Sequence, residues 1–276
     1  MNQRKKKSLW LLLACSFISL AKPIFAEEDM LPSAEPEQQK AMLTPLADRL
    51  SAETKNTIRS VFFRNSAEYE AELLRGNIVI GYENPSMYVN VSTMHEVLAM
   101  AVHGKNEKMV RGIIISRPES NLSSLADLKG KEIMIVSKQS TGGFLSQKKT
   151  LLEHGINVEW DCELTEAAEG KEENVILSVS IGDVDAGFIS ESALNKADQY
   201  IPQGSVVQVS KTAPLPNWAL SVNRKIPQEQ KDDLREIFLR LPPDSPVLKA
   251  LGITAFKAAE DKEYDVIRSL MEGNLP

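Results

Sequence analysis

The sequence predicts an α/β protein of two lobes joined by a two-stranded hinge. Short apolar segments that suit buried strands alternate with helical segments of about ten residues, a pattern typical of parallel sheets covered by helices. Two long extended segments, Met109–Arg117 and Val206–Pro216, bracket the middle third of the chain. Because a chain that leaves one lobe and later returns must cross twice, these segments are the expected crossings. We therefore expect residues 27–116 and 212–276 to form the first lobe and residues 117–211 the second.

The first lobe is expected to combine the chain before the first crossing with the chain after the second. Helices are predicted where an apolar stripe recurs at helical spacing after a capping residue, and strands where a short apolar run lies between turn residues. The predicted elements are a helix over Ala41–Leu50, a strand over Ile58–Phe63, a helix capped by Ser66 and ending at Leu74, a strand over Ile78–Tyr82, a loop over Glu83–Met87, a helix opened by the capping box Thr93–Glu96 and ending near Gly104, a strand over Trp218–Val222, and helices over Pro227–Leu241 and Glu263–Gly273.

The second lobe is expected to repeat strand and helix in the same way. Its predicted elements are a strand over Glu132–Val136, a helix that begins at Ser140–Gly143, an extended segment over Val158–Leu164, a helix over Glu172–Ile181, a strand over Ala186–Ile189, a short helix over Glu191–Ala197 and a strand over Val206–Lys211. In such sheets the carboxyl ends of strands and the amino ends of helices meet at one edge, where α/β folds bind ligands. The cleft between the lobes is therefore the expected ligand site.

The N-terminus has the layout of a secretory signal peptide. Basic residues precede the apolar run Leu9–Ala21, and the chain turns acidic after Ala26. The run is too short for a comfortable membrane-spanning helix, so we predict a signal peptide over residues 1–26, cleaved after Ala26. The segment Leu12–Cys15 also resembles a lipoprotein box in which Cys15 would be acylated; this alternative ranks second because the apolar run continues past that cysteine. Either interpretation predicts an exported, periplasmic protein.

The composition of the mature chain excludes several classes of protein. Removing 26 of the 276 residues leaves 250 and takes away five basic residues, so the net charge falls from −6 to −11. Such an acidic protein is a poor partner for nucleic acid or anionic lipid. Cys162 is the one cysteine left, and His95, His103 and His154 show no metal-ligand spacing, so no disulfide, metal or cofactor is expected. No nucleophile elbow, Cys–His pair or pair of catalytic carboxylates stands out, so we do not expect an enzyme.

The small-residue loop Ser140–Gly143 is the most informative segment for function. It follows the predicted buried strand Glu132–Val136 and opens a helix. The first amides of a helix have no partner within it, and the helix dipole adds to their attraction for negative charge. Two hydroxyls and two glycines would let an oxyanion approach the backbone closely. An ordinary helix cap in a strand-to-helix loop is the simpler interpretation of the same residues.

Several motifs occur in the order found in one family of solute receptors. They are Ser120–Gly130, Ser140–Gly143, Leu151–Ile156, Val179–Gly187 with its Gly-Asp-x-Asp-Ala-Gly turn, and Leu251–Phe256 followed by Tyr264, Ile267 and Arg268. In this order and spacing the chain resembles the PhnD-like periplasmic substrate-binding proteins of ABC transporters for phosphate, phosphite and phosphonate. The resemblance extends from about Thr44 to Leu270. It implies the two-lobed periplasmic-binding-protein fold and a non-catalytic, monomeric receptor that delivers a small anionic or zwitterionic ligand to a membrane permease.

The resemblance also implies the ligand-binding residues. The oxyanion would be held by the hydroxyls and amides of four consecutive residues, Ser140, Thr141, Gly142 and Gly143. Asp185 would accept a hydrogen bond from a protonated oxygen or an amine of the ligand, although a capping carboxylate in a tight turn accounts for it equally well. Asn84 and Ser86 correspond to the loop of the first lobe that faces the cleft.

The chain departs from the family at several positions. Gly142 replaces a third hydroxyl, the cleft histidine falls on Glu172, and the tyrosines expected near Ser66 and Met109 are absent. A carboxylate beside a dianion is unfavourable, so Glu172 either belongs to a site for another ligand, such as one with an amine, or lies at a solvated helix start. We expect weaker phosphate binding than in typical members. The alternative function is a ligand-sensing accessory protein of a membrane histidine kinase, with a modified or degenerate site.

Overall fold

Two β-sheets organise the chain, one in each lobe. The computed structural model describes residues 23–24, 36–104 and 108–273. The first sheet has four strands, in spatial order Ala255–Ala258, His95–Val102, Ala219–Asn223 and Ile80–Glu83. The second sheet has five strands, in spatial order Val207–Lys211, Gly112–Ser116, Ala186–Ser190, Glu132–Ile135 and Glu163–Glu166. The strands that follow the N-terminal helices and the strand that precedes the Ser140–Gly143 loop therefore lie in separate sheets.

A short antiparallel ribbon joins the lobes. Met109–Val110 pairs with Leu215–Pro216, which gives the two-stranded hinge of the predicted fold. Beyond the ribbon, the two segments continue as Gly112–Ser116 and Val207–Lys211, which are neighbours in the second sheet. The second sheet thus begins at Gly112 rather than after residue 116, because the Gly112–Ser116 strand also pairs with Ala186–Ser190 and is buried throughout.

Helices cover both faces of the first sheet. They are Pro36–Thr54, Ser66–Leu74, Pro85–Val91, Gln228–Leu239, Pro246–Ala250 and Asp265–Met271. Leu46 and Leu50 of the first helix pack with Phe238 against Tyr82 and Leu220 of the sheet. Each such side chain contributes roughly 1.5–3 kcal/mol when it is removed from water. The predicted first helix is correct in type and extends further at both ends.

The second sheet is covered by the helices Ser146–Glu153 and Glu172–Ile181, with helical turns at Val158–Asp161 and Glu191–Leu194. Val175 and Val179 of the Glu172–Ile181 helix pack on Ile113 and Ile115 of the sheet. Gly187 lies directly under this helix, and a Cβ there would approach Val175 within 2.6 Å. The close packing of helix on sheet fixes Glu172, the first residue of the helix, at one edge of the lobe.

The prediction of a helix from Thr93 to Gly104 is wrong. His95–Val102 is a central strand that pairs with Ala219–Asn223 on one side and Ala255–Ala258 on the other. All residues from Val97 to Val102 are buried. A strand that is covered on both faces reads as a continuous apolar run, and periodicity cannot distinguish such a run from a buried helix. His95 and His103 are therefore not on one helix.

Two other predicted segments differ in type. The segment Glu83–Met87 is not a loop, because Asn84 caps a helix that begins at Pro85. The extended segment over Val158–Leu164 contains a helical turn, Val158–Asp161, before its strand begins at Glu163. In addition, Asn65 rather than Ser66 caps the second helix.

The predicted cleavage site after Ala26 and the alternative lipid site at Cys15 lie outside the described residues. Within the predicted signal peptide, Pro23–Ile24 pairs in parallel with Arg59–Ser60. Across the parts of the chain that the structure describes, we find no helix with the length and apolar character needed to cross a membrane.

Candidate functional site

A cavity of about 660 Å³ lies between the lobes. The first lobe contributes Met42, His103, Asn217, Trp218 and Ala250, and the hinge contributes Val110. The second lobe contributes the residues Ser140–Gly142, the start of the Glu172–Ile181 helix, and the segment that follows the Ala186–Ser190 strand. A cavity of this size suits a small ligand.

The loop Ser140–Gly143 starts a helix, as predicted. Ser140 is the capping residue, and Thr141–Leu145 form a π-helical turn that leads into the helix Ser146–Glu153. π-Helical turns are rare in proteins, and those that occur are often found at functional sites. The Gly143 amide donates to Ser140 Oγ at 3.0 Å, and Gly143 does not line the cavity. The expectation that its amide faces the cleft is corrected, because the capping hydroxyl already takes that donor.

Thr141 and Gly142 are the first two residues of the π-helical turn, and both line the cavity. Their amides are the first of the helix and have no partner within it. Thr141 Oγ1 is buried and has no hydrogen-bond partner among the described residues. A buried hydroxyl without a partner costs about 1–3 kcal/mol. A ligand or an ordered water at this point would supply the partner.

Asn217 is a cavity residue of the first lobe that no sequence pattern indicated. It follows the hinge strand Leu215–Pro216 and lines the cavity, and its side-chain oxygen accepts a hydrogen bond from the Trp218 amide at 2.8 Å. This bond orients the amide group, and Nδ2 is then buried without a partner among the described residues. Its place in the cleft depends on how the hinge folds, for which the local sequence carries no signal.

The Gln147 side chain holds the backbone of the Ser140–Gly143 loop against the second sheet. Its side chain is fully buried, and Nε2 donates to the Gly142 carbonyl at 2.7 Å, to that of Ile189 at 3.0 Å and to that of Ile113 at 3.2 Å. The loop is thereby joined to two adjacent strands of the second sheet, Gly112–Ser116 and Ala186–Ser190. The position of the Gly142 amide at the cavity is set by this contact.

Glu172 faces the cavity and is not a solvated helix start. Its Oε1 accepts from the Ser190 amide at 2.5 Å and its Oε2 from Ser190 Oγ at 3.0 Å. Burial raises the pKa of Glu172, and the two hydrogen bonds from Ser190 oppose that shift. The carboxylate therefore occupies two donors at the end of the Ala186–Ser190 strand, directly beside Gly142.

Asn84 and Ser86 support the site but do not line the cavity. Asn84 is fully buried, and its Oδ1 accepts from the Met87 amide at 2.9 Å as a helix cap. Ser86 Oγ donates to the Gln139 carbonyl at 3.0 Å, which ties the first lobe to the residue before Ser140. Asn84 therefore starts the helix that carries Ser86, and Ser86 contacts the residue before the loop.

Ser86→Ala is expected to lower the free energy of unfolding by about 0.5–1.5 kcal/mol, the net contribution of one hydrogen bond. Denaturant unfolding at fixed pH measures this change. Ser92→Ala removes a hydroxyl of the same size that bonds within its own lobe, to Val89 O at 2.8 Å, and is the matched control. A ligand affinity altered in Ser86→Ala but not in Ser92→Ala would identify the contact between lobes as the cause. Equal affinities in the two variants would contradict that role.

Asp185 does not belong to the cavity, and the expectation for it is corrected. Its Oδ2 accepts from the Glu132 amide at 3.1 Å, and its own amide donates to the Glu132 carbonyl at 2.9 Å. Both residues lie just before or at the start of parallel neighbouring strands. The cleft lies at the other edge, where these strands end. Asp185 therefore binds the backbone at the start of the neighbouring strand, which is neither the ligand contact nor the cap of its own turn that the sequence suggested.

Among the residues described, no group of three or more histidine, cysteine, aspartate or glutamate side chains has the geometry to hold a metal ion. Cys162 is half-buried and its thiol donates to the Leu128 carbonyl at 3.2 Å. Burial raises the pKa of Cys162 to about 11, so the thiol is protonated at neutral pH. Cys162 does not line the cavity between the lobes.

Two lobes, a two-stranded hinge and a donor-bearing cavity between the lobes define a solute-binding protein of the periplasmic-binding-protein fold. A family model described as "ABC transporter, phosphonate, periplasmic substrate-binding protein" matches residues 29–264. The chain belongs to this family. Because members bind substrates for ABC transporters, the chain is a transport-associated binding protein and not an enzyme.

Individual relatives are distant in sequence and close in fold. The phosphate-import protein PhnD of Mycolicibacterium smegmatis is 23% identical over 223 residues, which cover 75% of this chain and 69% of that protein. The PhnD1 structure from Prochlorococcus marinus in complex with methylphosphonate has a TM-score of 0.73 and 15% identity, covering 92% of this chain and 98% of the other. The binding-protein component of a phosphonate transporter from Pseudomonas aeruginosa has a TM-score of 0.67 and 17% identity, covering 91% and 86%.

Proposed function

We propose that this protein is an exported receptor that binds a small oxyanion-bearing or phosphonate-like ligand between its lobes and delivers it to an ABC-transporter permease. The observation that supports this best is the start of the π-helical turn Thr141–Leu145, where the Thr141 hydroxyl is buried without a partner among the described residues at the edge of the cavity. Hydrogen-bond donors at a helix N-terminus suit an oxyanion. Phosphonate, phosphate and sulfonate share that chemistry.

Donor-bearing residues from both lobes line the cavity in which we propose that the ligand binds. Thr141 and Gly142 belong to the second lobe, whereas the unpartnered Nδ2 of Asn217 belongs to the first. A ligand with at least two acceptor oxygens would satisfy both sides at once. Binding would then favour the arrangement in which the lobes are close together, because the ligand contacts both only in that arrangement.

The charges that line the cavity favour a ligand of low net charge. Three carboxylates line it, from Glu169, Glu172 and Glu173, against two ammonium groups, from Lys171 and Lys196. Lys171 also forms an ion pair with Glu169. A phosphate dianion would meet this lining with few cationic partners, although charge-assisted bonds are the strong ones for such ions. We therefore propose weaker phosphate binding than is typical of the family.

Thr141→Val is the most direct test of the site. Because Oγ1 has no partner among the described residues, its removal should leave the melting temperature of the free protein unchanged or raise it. Ligand affinity should fall by about tenfold, the value of one hydrogen bond to a charged oxygen. Melting curves and calorimetry with phosphate, methylphosphonate, methanesulfonate and aminoalkylphosphonates measure the two quantities separately.

The matched control is Thr150→Val, on the same helix. Thr150 Oγ1 accepts from the Ala213 amide at 2.7 Å and donates to the Ser146 carbonyl at 3.0 Å. Its loss should therefore lower the melting temperature. Unchanged affinity in Thr141→Val for every ligand that the wild type binds would contradict the proposed position of the ligand.

We also propose that export removes residues 1–26 and that the mature receptor acts as a monomer. The basic start, the apolar run and the small residue at Ala26 support the cleavage. N-terminal sequencing of the secreted protein tests the cleavage site, and a lipid-modified Cys15 at the new terminus would favour the second alternative. Sedimentation at several concentrations, with and without ligand, tests the monomer.

A second candidate function is a ligand-sensing accessory protein for a membrane histidine kinase. It is favoured by Glu172, whose carboxylate takes up two donors within the cavity and so modifies the site. Uptake of a radiolabelled ligand and phosphorylation of the kinase, each measured with wild type and with Thr141→Val, separate the two functions. Loss of uptake alone supports the receptor, and loss of kinase response alone supports the sensor.

A further inference from the structure

Ser190 is placed to donate to a ligand but donates to the protein itself. It is the last residue of the Ala186–Ser190 strand, lines the cavity, and lies so close to the loop that a Cβ on Gly142 would be 2.9 Å from Ser190 Cβ. Its amide and its hydroxyl form a pair of donors of the kind that binds oxyanions. Both are bonded to the Glu172 carboxylate.

The Glu172 carboxylate is held without a cationic partner at ion-pair distance among the described residues. The charged groups that face it are Glu173, next along its own helix, and Lys196, beyond the Glu191–Leu194 turn. Burial favours the protonated form of Glu172, whereas the hydrogen bonds that both of its oxygens accept from Ser190 favour the anion, so alkaline pH is the condition in which the carboxylate carries its charge. That negative charge is only partly balanced. A further negative charge on a ligand at Thr141 and Gly142 would be repelled across a short distance in a poorly solvated cavity.

We infer that the Glu172 carboxylate takes the place of a ligand oxyanion at the Ser190 donors, beside the bound ligand. Its negative charge then makes the receptor select singly charged oxyanions over doubly charged ones. This inference rests on the proposed function and assigns its substrate class. A singly charged head group, such as a sulfonate, a phosphonate monoester or a carboxylate, can use the donors of Thr141, Gly142 and Asn217 without adding a second charge beside Glu172. The histidine expected from the family at this position would lack that repulsion.

The alternative is that Glu172 only holds Ser190 in place by accepting its two hydrogen bonds. In that case ligand selectivity should depend on the length of the side chain at residue 172. If Glu172 instead repels doubly charged ligands, selectivity should depend on the charge of that side chain. Glu172→Gln keeps the length and an acceptor oxygen for the Ser190 donors while it removes the charge. Glu172→Asp keeps the charge and shortens the reach. The two substitutions therefore separate the two roles.

The test compares two probes of nearly the same shape at alkaline pH, methanesulfonate with one charge and methylphosphonate with two. Calorimetry gives the ratio of their dissociation constants. The wild type is expected to prefer methanesulfonate, and Glu172→Gln should shift the ratio toward methylphosphonate by at least about tenfold. Glu172→Asp should keep the preference of the wild type. Glu173→Gln is the matched control, because Glu173 also lines the cavity but accepts from Tyr200 Oη at 3.1 Å rather than from Ser190; its ratio should change less than that of Glu172→Gln.

Melting curves check that each variant folds, and Glu172→His replaces Glu172→Gln if the latter does not, since it also removes the negative charge. Equal probe ratios in the wild type and the uncharged variant would overturn the inference while leaving the oxyanion receptor intact. The inference is overturned in the same way if Glu173→Gln shifts the ratio as much, or if Glu172→Asp shifts it like the uncharged variant. If neither probe binds any of these proteins, the proposed oxyanion function fails and the inference fails with it.

Discussion

Gly142→Val is expected to abolish ligand binding, with a loss of affinity of at least about 100-fold. A Cβ at residue 142 would lie 2.9 Å from Ser190 Cβ and 3.3 Å from Ser190 Cα. The loop cannot yield easily, because Gln147 holds the Gly142 carbonyl at 2.7 Å. Valine must therefore displace either the loop or the end of the Ala186–Ser190 strand, and a displacement of about 1 Å is enough to spoil a preorganised site.

The effect is steric, since Gly142 does not have a positive φ angle. The same contact explains why the third hydroxyl expected from the family is absent. Serine at residue 142 would place its Cβ against Ser190, so the proximity of that strand end requires glycine. The missing donor is thus a consequence of packing in the second lobe.

Calorimetry measures the loss of affinity, with whichever of phosphate, methylphosphonate, methanesulfonate and the aminoalkylphosphonates the wild type binds most tightly. Melting curves establish that the variant is folded. Gly142→Ala, which adds the Cβ alone, should show a smaller loss than valine. This graded response is the internal control. If Gly142→Val binds within about threefold of the wild type, the loop does not form the ligand site.

The sequence predicted the lobes and the loop because both depend on local patterns. Alternation of strand and helix, and small residues after a buried strand, are visible without tertiary information. The Val97–Val102 strand was mistaken for a helix because burial on both faces removes the alternation of polar and apolar residues. Asp185 was misplaced because it precedes its strand. The ligand edge of a parallel sheet lies where strands end.

Other parts of the site depend on contacts between distant segments. Asn217 reaches the cavity through the course of the hinge, and Glu172 reaches Ser190 only after its helix packs on the sheet. Spacing along the chain specifies neither contact. The replacement of a family histidine by Glu172 was visible in the sequence, but its bond to the Ser190 donors was not.

A buried polar chain in the first lobe should make stability depend on pH. Glu83 is fully buried, and its Oε1 accepts from Ser221 Oγ at 2.9 Å and from Tyr69 Oη at 3.2 Å. Because Ser221 donates to Glu83, its oxygen is left to accept from His95 Nδ1, 2.9 Å away. Burial raises the pKa of Glu83 from 4.5 to about 8 and lowers the pKa of His95 from 6.5 to about 4.

The two groups act on stability with opposite signs. Between pH 4.5 and 8 the folded protein retains the Glu83 proton that the unfolded chain releases, so stability falls as pH rises. Between pH 4 and 6.5 the unfolded chain takes up a proton at His95 that the folded protein excludes, so stability rises with pH. The contributions offset each other below pH 6.5. Of these two groups, only Glu83 contributes to the pH dependence above pH 6.5.

Raising the pH from 6.5 to 8 is therefore expected to lower the free energy of unfolding by about 2 kcal/mol, at about 1.4 kcal/mol per unit of pKa difference. Glu83→Gln mimics the protonated carboxyl and keeps an acceptor for Tyr69 and Ser221, so it should reduce this decline to what other groups with a raised pKa, such as Glu172, contribute. Urea unfolding at several pH values measures both proteins, with Glu229→Gln on the exposed face of a helix as the matched control. A decline of the same size in Glu83→Gln and in the wild type would show that the Glu83 carboxyl does not cause it.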